Sequence, residues 1–109
     1  MNKVKFLLDR IEALATHITE DNPNAVESAI AYATIRVLVS DLDAINEEER
    51  DENDFIDERL GDIEDHALSL AQLDDGNGYS LQQHYLWLMT ATSTLRGSEC
   101  FDIEEDDEG

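Results

Sequence analysis

The sequence predicts an all-α protein, a single-domain bundle of about four helices with an acidic C-terminal tail. Apolar residues recur at spacings of three and four rather than two, which is the period of a helix. The breaks between these stretches are short and carry capping and turn residues. The 109 residues, 41% of them apolar, suffice for one core without staples, and Cys100, the sole cysteine, has no internal partner for a disulfide. The bundle is read as residues 1–103 and the disordered tail as residues 104–109.

Val4, Leu7, Leu8, Ile11, Leu14, Ala15 and Ile18 form one stripe, the first helix. Asn22-Pro23 is expected to end it and open the next, with Asn22 as N-cap and Pro23 in the first helical position. The second helix, about 23–45, is apolar on more than one face, through Val26, Ala29, Ile30, Ala33 and Val37 and also Ile35, Leu38, Leu42 and Ile45. Such a helix is expected at the centre of a bundle. Residues 46–53 are wholly polar and fit either a linker or a helix extension. Asn53 suits an N-cap, and Asp54, Asp57 and Glu58 suit the positive end of a third helix running to about Leu73. Ile56, Leu60, Ile63, Ala67 and Leu70 are its inward set, and Gly61 costs it about 1 kcal/mol against alanine. Asp74-Asp75-Gly76-Asn77-Gly78 is a loop. Ser80 with Gln83 is a capping box for a fourth helix, which turns Leu81, Tyr85, Leu88 and Leu95 to one side and stops at Arg96-Gly97. Phe101 and Ile103 can fold back on the bundle.

Charge narrows the function. Acidic residues number 27 against 7 basic ones, a net of −20, which repels both nucleic acid and anionic membranes. The partner implied is a basic protein. No apolar stretch reaches the length of a signal-peptide core or a membrane span, so a soluble, cytoplasmic protein is expected. Cys100 fits a reducing compartment, and its acidic surroundings are expected to keep it unreactive.

The acidity is uneven. Residues 41–65 carry a net −11 and residues 99–109 a net −7, so these two windows hold nearly all of it. On the third helix, Asp54, Glu58, Asp62 and Asp65 fall within about 80° of one another, opposite Ile56, Leu60, Ile63 and Ala67. Only Arg59 interrupts this ridge, at its margin. Like charges at three- and four-residue spacing destabilise a helix by a few tenths of a kcal/mol per pair, so stability does not account for them. Were 41–65 one continuous helix, its ~38 Å would carry a charge every ~3.4 Å, the density along one DNA strand.

In size, in charge, in its helical reading, and in the 41–65 ridge and the tail from Glu104 to Glu108, the chain resembles the small acidic DNA-mimic proteins that phages and mobile elements use against restriction enzymes and other nucleases. The resemblance is one of charge geometry, without a sequence motif. It implies an inhibitor, not an enzyme, that blocks the DNA-binding surface of a basic partner. Glu47, Glu48, Asp51, Asp54, Glu58, Asp62 and Asp65 stand in for phosphates, with Glu104, Glu105, Asp106 and Asp107 as a diffuse second contact. A homodimer is left open. The alternative is a non-inhibitory acidic module, such as an accessory subunit or a chaperone for a basic protein.

The other chemistry is thinner. Glu48-Glu49-Arg50-Asp51-Glu52 has the form EExxE, and with Asp62-Ile63-Glu64-Asp65 it resembles the MazG-like nucleotide pyrophosphohydrolases, which hold magnesium between two helices. Asp62 stands where that pattern has glutamate, and nine residues are a short span for reaching a facing helix. Asp75 and Asn77 match the first positions of a calcium loop, but the 75–86 segment fails as one, since Ser80 and Leu86 occupy its glycine and glutamate positions. His17, His66 and His84 fall on three helices without ligand spacing and are read as solvated or core-edge. No nucleophile motif or phosphate loop is present, so neither cofactor, metal nor catalytic residue is assigned. Tyr79, Tyr85 and Trp87 are read as core before interface.

Charge concentrated in this way predicts that salt stabilises the free protein. The thermal midpoint should rise as sodium chloride goes from a few millimolar to about 0.5 M, where the screening length is only a few Å. A flat or falling curve means the charges are already compensated.

Overall fold

The computed structural model describes residues 3–21, 23–49 and 54–97, and for residues 46–49 and 54 the backbone alone. Asn22, Asp51, Glu52, Asn53, Cys100, Phe101, Ile103 and the 104–109 tail lie outside the described residues, as do the roles expected of them. The elements are α1 (Lys3–Glu20), α2 (Ala25–Glu49), α3 (Asp54–Leu70) and α4 (Leu81–Arg96), with a 3-10 turn at Gly76–Gly78 before α4. Each helix packs on its neighbours in chain order and α4 closes on α1, with α1 and α3 touching across the middle. This is an all-α bundle of four helices around one core.

One stripe from each helix builds that core. Leu8 and Ile11 of α1, Ile35 and Leu42 of α2, Ile56 and Ile63 of α3, and Leu88 and Leu95 of α4 are all fully buried. The inward sets expected of α1 and α3 are buried throughout, apart from Leu14, which is partly buried against the same cluster. On α4, Leu81 stays exposed while His84, Ala91 and Thr92 are buried instead.

The helix ends show how the local chemistry resolves. Ser80 caps α4 as expected, its hydroxyl accepting from the Gln83 N–H at 3.1 Å, and Gly97 is the C-cap. At the start of α2, however, Asn24 is the cap: its side-chain oxygen accepts from the Glu27 N–H at 2.8 Å, and Pro23 lies before the helix. α3 stops at Leu70, short of Leu73. Gln72 adopts a positive φ of 61° there, and the Leu73 N–H reaches back to the Leu68 carbonyl at 3.1 Å, a Schellman-type end made without glycine. Residues 46–49 prove to be helix, which extends α2 to Glu49.

Two long-range polar ties fix α4 on α1. The Tyr85 hydroxyl and Thr16 Oγ1 are 3.0 Å apart. The Arg96 guanidinium donates to Asp9 and to both carboxylate oxygens of Glu12. Burial pushes the Asp9 carboxyl up, but hydrogen bonds from Arg96 and Lys5 outweigh it and hold it below the ordinary carboxylate value. Arg96 thus does more than complement the C-terminal end of its own helix.

α2 departs from its expected central place. It is one of four peripheral helices, and its second apolar face, with Val26, Ile30 and Val37, points to solvent. Gly61 is likewise open: a Cβ built there meets nothing within 4 Å. Packing therefore does not require the glycine, and Gly61→Ala should stabilise the protein by about 0.5–1 kcal/mol in urea unfolding. A loss of stability would show that α3 needs a smaller residue than its surroundings indicate.

Candidate functional site

The acidic window is a hairpin rather than a rod. α2 ends at Glu49 and α3 begins at Asp54, and the two helices pack side by side, with Ser40 and Asp43 lining one groove together with Asp57 and Glu64. The continuous 41–65 helix and its ~38 Å length are therefore corrected. The carboxylates occupy two adjacent helices, over roughly half that length, and present a broad surface instead of a line.

Six of the seven carboxylates expected to stand in for phosphates lie on these two helices. Glu47 and Glu48 are in the last turns of α2 and Asp54 opens α3, described for backbone alone; Asp51 falls between the helices, outside the described residues. Glu58 projects to solvent with 71% of its side chain exposed, and Asp65 is exposed on the same face. Asp62 is different. It pairs with Arg59 at 3.0 Å, while Glu58 approaches that guanidinium only to 3.8 Å. Arg59 also lies 5.5 Å above the Phe55 ring, and its Nε is buried with no hydrogen-bond partner. Asp62 is thus tied to Arg59, and Glu58 and Asp65 are the more exposed carboxylates of the ridge. Glu104, Glu105, Asp106 and Asp107 lie outside the described residues.

Between α2 and α3 runs an open groove of about 620 Å³ floored by Leu60 and Gly61 and edged by Arg36, Asp43, Asp57 and Glu64. Three more carboxylates therefore adjoin the ridge. Among the described residues no three His, Cys, Asp or Glu side chains are placed to hold a metal ion, and no helix is long and apolar enough to cross a membrane.

Two of the histidines meet between α3 and α4. His84 is 3% exposed, and its Nε2–H donates to the Gly76 carbonyl at 2.9 Å, just where Gly76 turns with φ at 67°. A Cβ on Gly76 would sit 3.3 Å from that nitrogen, so the glycine serves both the turn and the close approach. His66 Nδ1 lies 3.0 Å from His84 Nδ1. A bond between two ring nitrogens needs one lone pair, so at most one of the two rings can be protonated. Trp87 and Tyr79 stack around the pair, with their own centroids 4.9 Å apart and Trp87 5.2 Å from His66. Tyr79 remains mostly exposed, whereas Tyr85 and Trp87 are partly buried. Arg59, Asp62, His66 and Trp87 line a second cavity, of about 320 Å³, that joins the aromatic cluster to the ridge.

Sequence spacing contained part of this. His84 stands four residues before Leu88 and so continues the Leu88, Ala91, Leu95 stripe, which is why it is buried. The pairing with His66 has no local signal, since it depends on how α3 and α4 are packed. No family model matches the chain, and no curated protein or solved structure matches it either.

Burial lowers the His66 pKa below 6.5, the neighbouring His84 lowers it further, and Asp62 and Asp65 only partly oppose this. The folded state therefore binds fewer protons than the unfolded chain. The stability this provides is complete above the unfolded value near 6.5 and is lost as pH falls through the lower folded value. Denaturation midpoints between pH 7 and 5 should thus decline more steeply for the parent protein than for His66→Gln. Parallel curves would exclude His66 as a source of acid sensitivity.

Proposed function

We propose that the protein binds and blocks the basic, nucleic-acid-binding surface of another protein, presenting the carboxylates of the α2–α3 hairpin where that surface takes phosphates. The observation that carries this reading is the exposed face of α3. Glu58 and Asp65 project from a helix whose opposite side, Ile56, Leu60 and Ile63, is locked in the core. Carboxylates on such a helix lose little conformational entropy on docking. The fold gains nothing from holding them together, because like charges at helical spacing repel. The net field of a −20 chain steers a basic partner into encounter, and displacement of that partner's counterions adds to affinity.

The hairpin refines what such a surface can match. Two helices side by side offer carboxylates across a width as well as along a length, which suits a groove or concave basic face better than a narrow channel. The Arg59–Asp62 pair ties up one carboxylate in the middle and leaves Glu58 and Asp65 on either side of it. The aromatic cluster at the α3–α4 edge supplies flat faces to which arginine side chains of a partner can stack.

The test is competition. Immobilised protein should retain DNA-binding proteins from a cell lysate at about 0.05 M salt and release them near 0.5 M. Added duplex DNA should displace the same proteins. Glu58→Lys with Asp65→Lys, folded by circular dichroism, should weaken binding to an isolated target about tenfold or more. Deletion of residues 104–109 should mainly slow association. Retention that DNA does not displace would point to an accessory or chaperone role. A tail deletion that abolishes binding while the double variant binds normally would replace the surface mimic with an acidic peptide ligand.

A further inference from the structure

The outward face of α2 is apolar and uncovered. Val26, Ile30 and Val37 are 67, 61 and 60% exposed, more than any other large apolar side chain among the described residues. With Ala33, also exposed, they fall within about 60° of one another and directly opposite Ala31, Ile35 and Leu42 in the core. Their spacing of four, three and four is that of the alternating seam positions of a coiled coil over about 17 Å. This face contributes nothing to the bundle's own core.

We propose that it is a self-association surface through which two copies of the chain pair by antiparallel contact of their α2 helices. A two-fold contact requires a surface complementary to itself, and this spacing reads the same in both directions. With the axis between Ala31 and Tyr32, Val26 of one copy meets Val37 of the second, and Ile30 meets Ala33. All three exposed side chains are then covered in both copies.

Charge selects this register and direction. A two-fold axis crossing the helix pair sets each edge of α2 against the same edge of the second copy. In this register Glu27 falls opposite Thr34, and Arg36 opposite Ala29, so no like charges on the flanks of the two α2 helices meet. Moving the axis by half a heptad, to Ile35, would set Glu27 against Asp41 and Arg36 against itself. Parallel pairing would lay the two 41–49 segments, each with five acidic residues and no basic one, side by side. The antiparallel register sends them out at opposite ends. Alongside Ala33 and Val37, the open groove above Gly61 leaves room for the second copy's side chains.

Sedimentation equilibrium tests this at about 0.5 M sodium chloride and ~10–500 μM protein, conditions that screen the net charge and reach weak association. Twice the chain mass is expected at the upper concentrations. Ile30→Glu, on the solvent side of α2, should raise the dissociation constant at least about a hundredfold with helicity unchanged, since it buries an unpaired charge in each half of the contact. In a Cys100→Ser background, Val26→Cys and Val37→Cys chains should form a disulfide when mixed and oxidised mildly, and neither should do so alone. Self-crosslinking of each variant alone would mean parallel pairing and overturn the geometry. A monomer at every concentration, or a dimer indifferent to Ile30→Glu, overturns the proposal and leaves this face to another occupant, such as the chain's own C-terminal segment or a different protein.

Discussion

Packing of Leu8, Ile11, Ile35, Ile63, Leu88 and Leu95 into one fully buried cluster is the interaction on which everything else depends, because a chain of net charge −20 repels itself elsewhere. The magnitudes show why the core prevails. Each buried leucine or isoleucine stabilises by about 1.5–3 kcal/mol, whereas a like-charged pair at helical spacing costs only a few tenths. The segregation of charge follows from the same comparison. Every core-facing position of α3 is apolar, so the repulsion is confined to the opposite face, where water and salt screen it.

The polar contacts are placed where that core alone leaves freedom. Four apolar stripes allow helices to slide along one another, but directional bonds do not. Arg96 joined to Asp9 and Glu12 fixes the end of α4 on α1. At the other end, His84 holds the Gly76 turn and His66 holds His84, which ties α3, the turn and α4 together. The second tie includes His66, whose pKa burial lowers, while Asp9 of the first is held below the ordinary carboxylate value, so acid should loosen the α3–α4 end before the α1–α4 end.

Legibility in the sequence tracked the range of each interaction. The α1 and α3 stripes, the Ser80 cap and the Gly97 stop are local, and they could be read to within a residue or two. The break between α2 and α3 could not be placed, because residues 46–53 hold no proline or glycine and glutamate and arginine favour helix whether it continues or stops. The ridge was legible as a set of residues on one face of α3. Its shape was not, since a rod and a hairpin share one charge pattern and differ only in tertiary packing. Pairing of Asp62 with Arg59 was visible as a three-residue spacing, but its consequence, a shift of the ridge onto Glu58 and Asp65, needed the exposure of each carboxylate. The His66–His84 bond joins residues on different helices and had no sequence signal at all.

α2 shows that the same periodicity can serve two ends. An apolar helix on two opposite faces was read as central because burial of both faces within one chain is the simplest way to remove them from water. Here one face meets the core and the other meets solvent, and the proposed pairing would remove the second from water. The two outward surfaces then respond to salt in opposite senses. The proposed attraction between the α3 ridge and a basic partner would be Coulombic and would weaken as ions screen it. Contact between two α2 faces is apolar, is opposed only by the net charge of the two copies, and strengthens under the same screening. The two surfaces adjoin, because Ala33 and Val37 of the seam line the same α2–α3 groove as Asp57 and Glu64. A paired molecule would carry its two acidic hairpins at opposite ends, and a basic partner with two matching sites would engage both with an affinity set by their spacing rather than by any new contact.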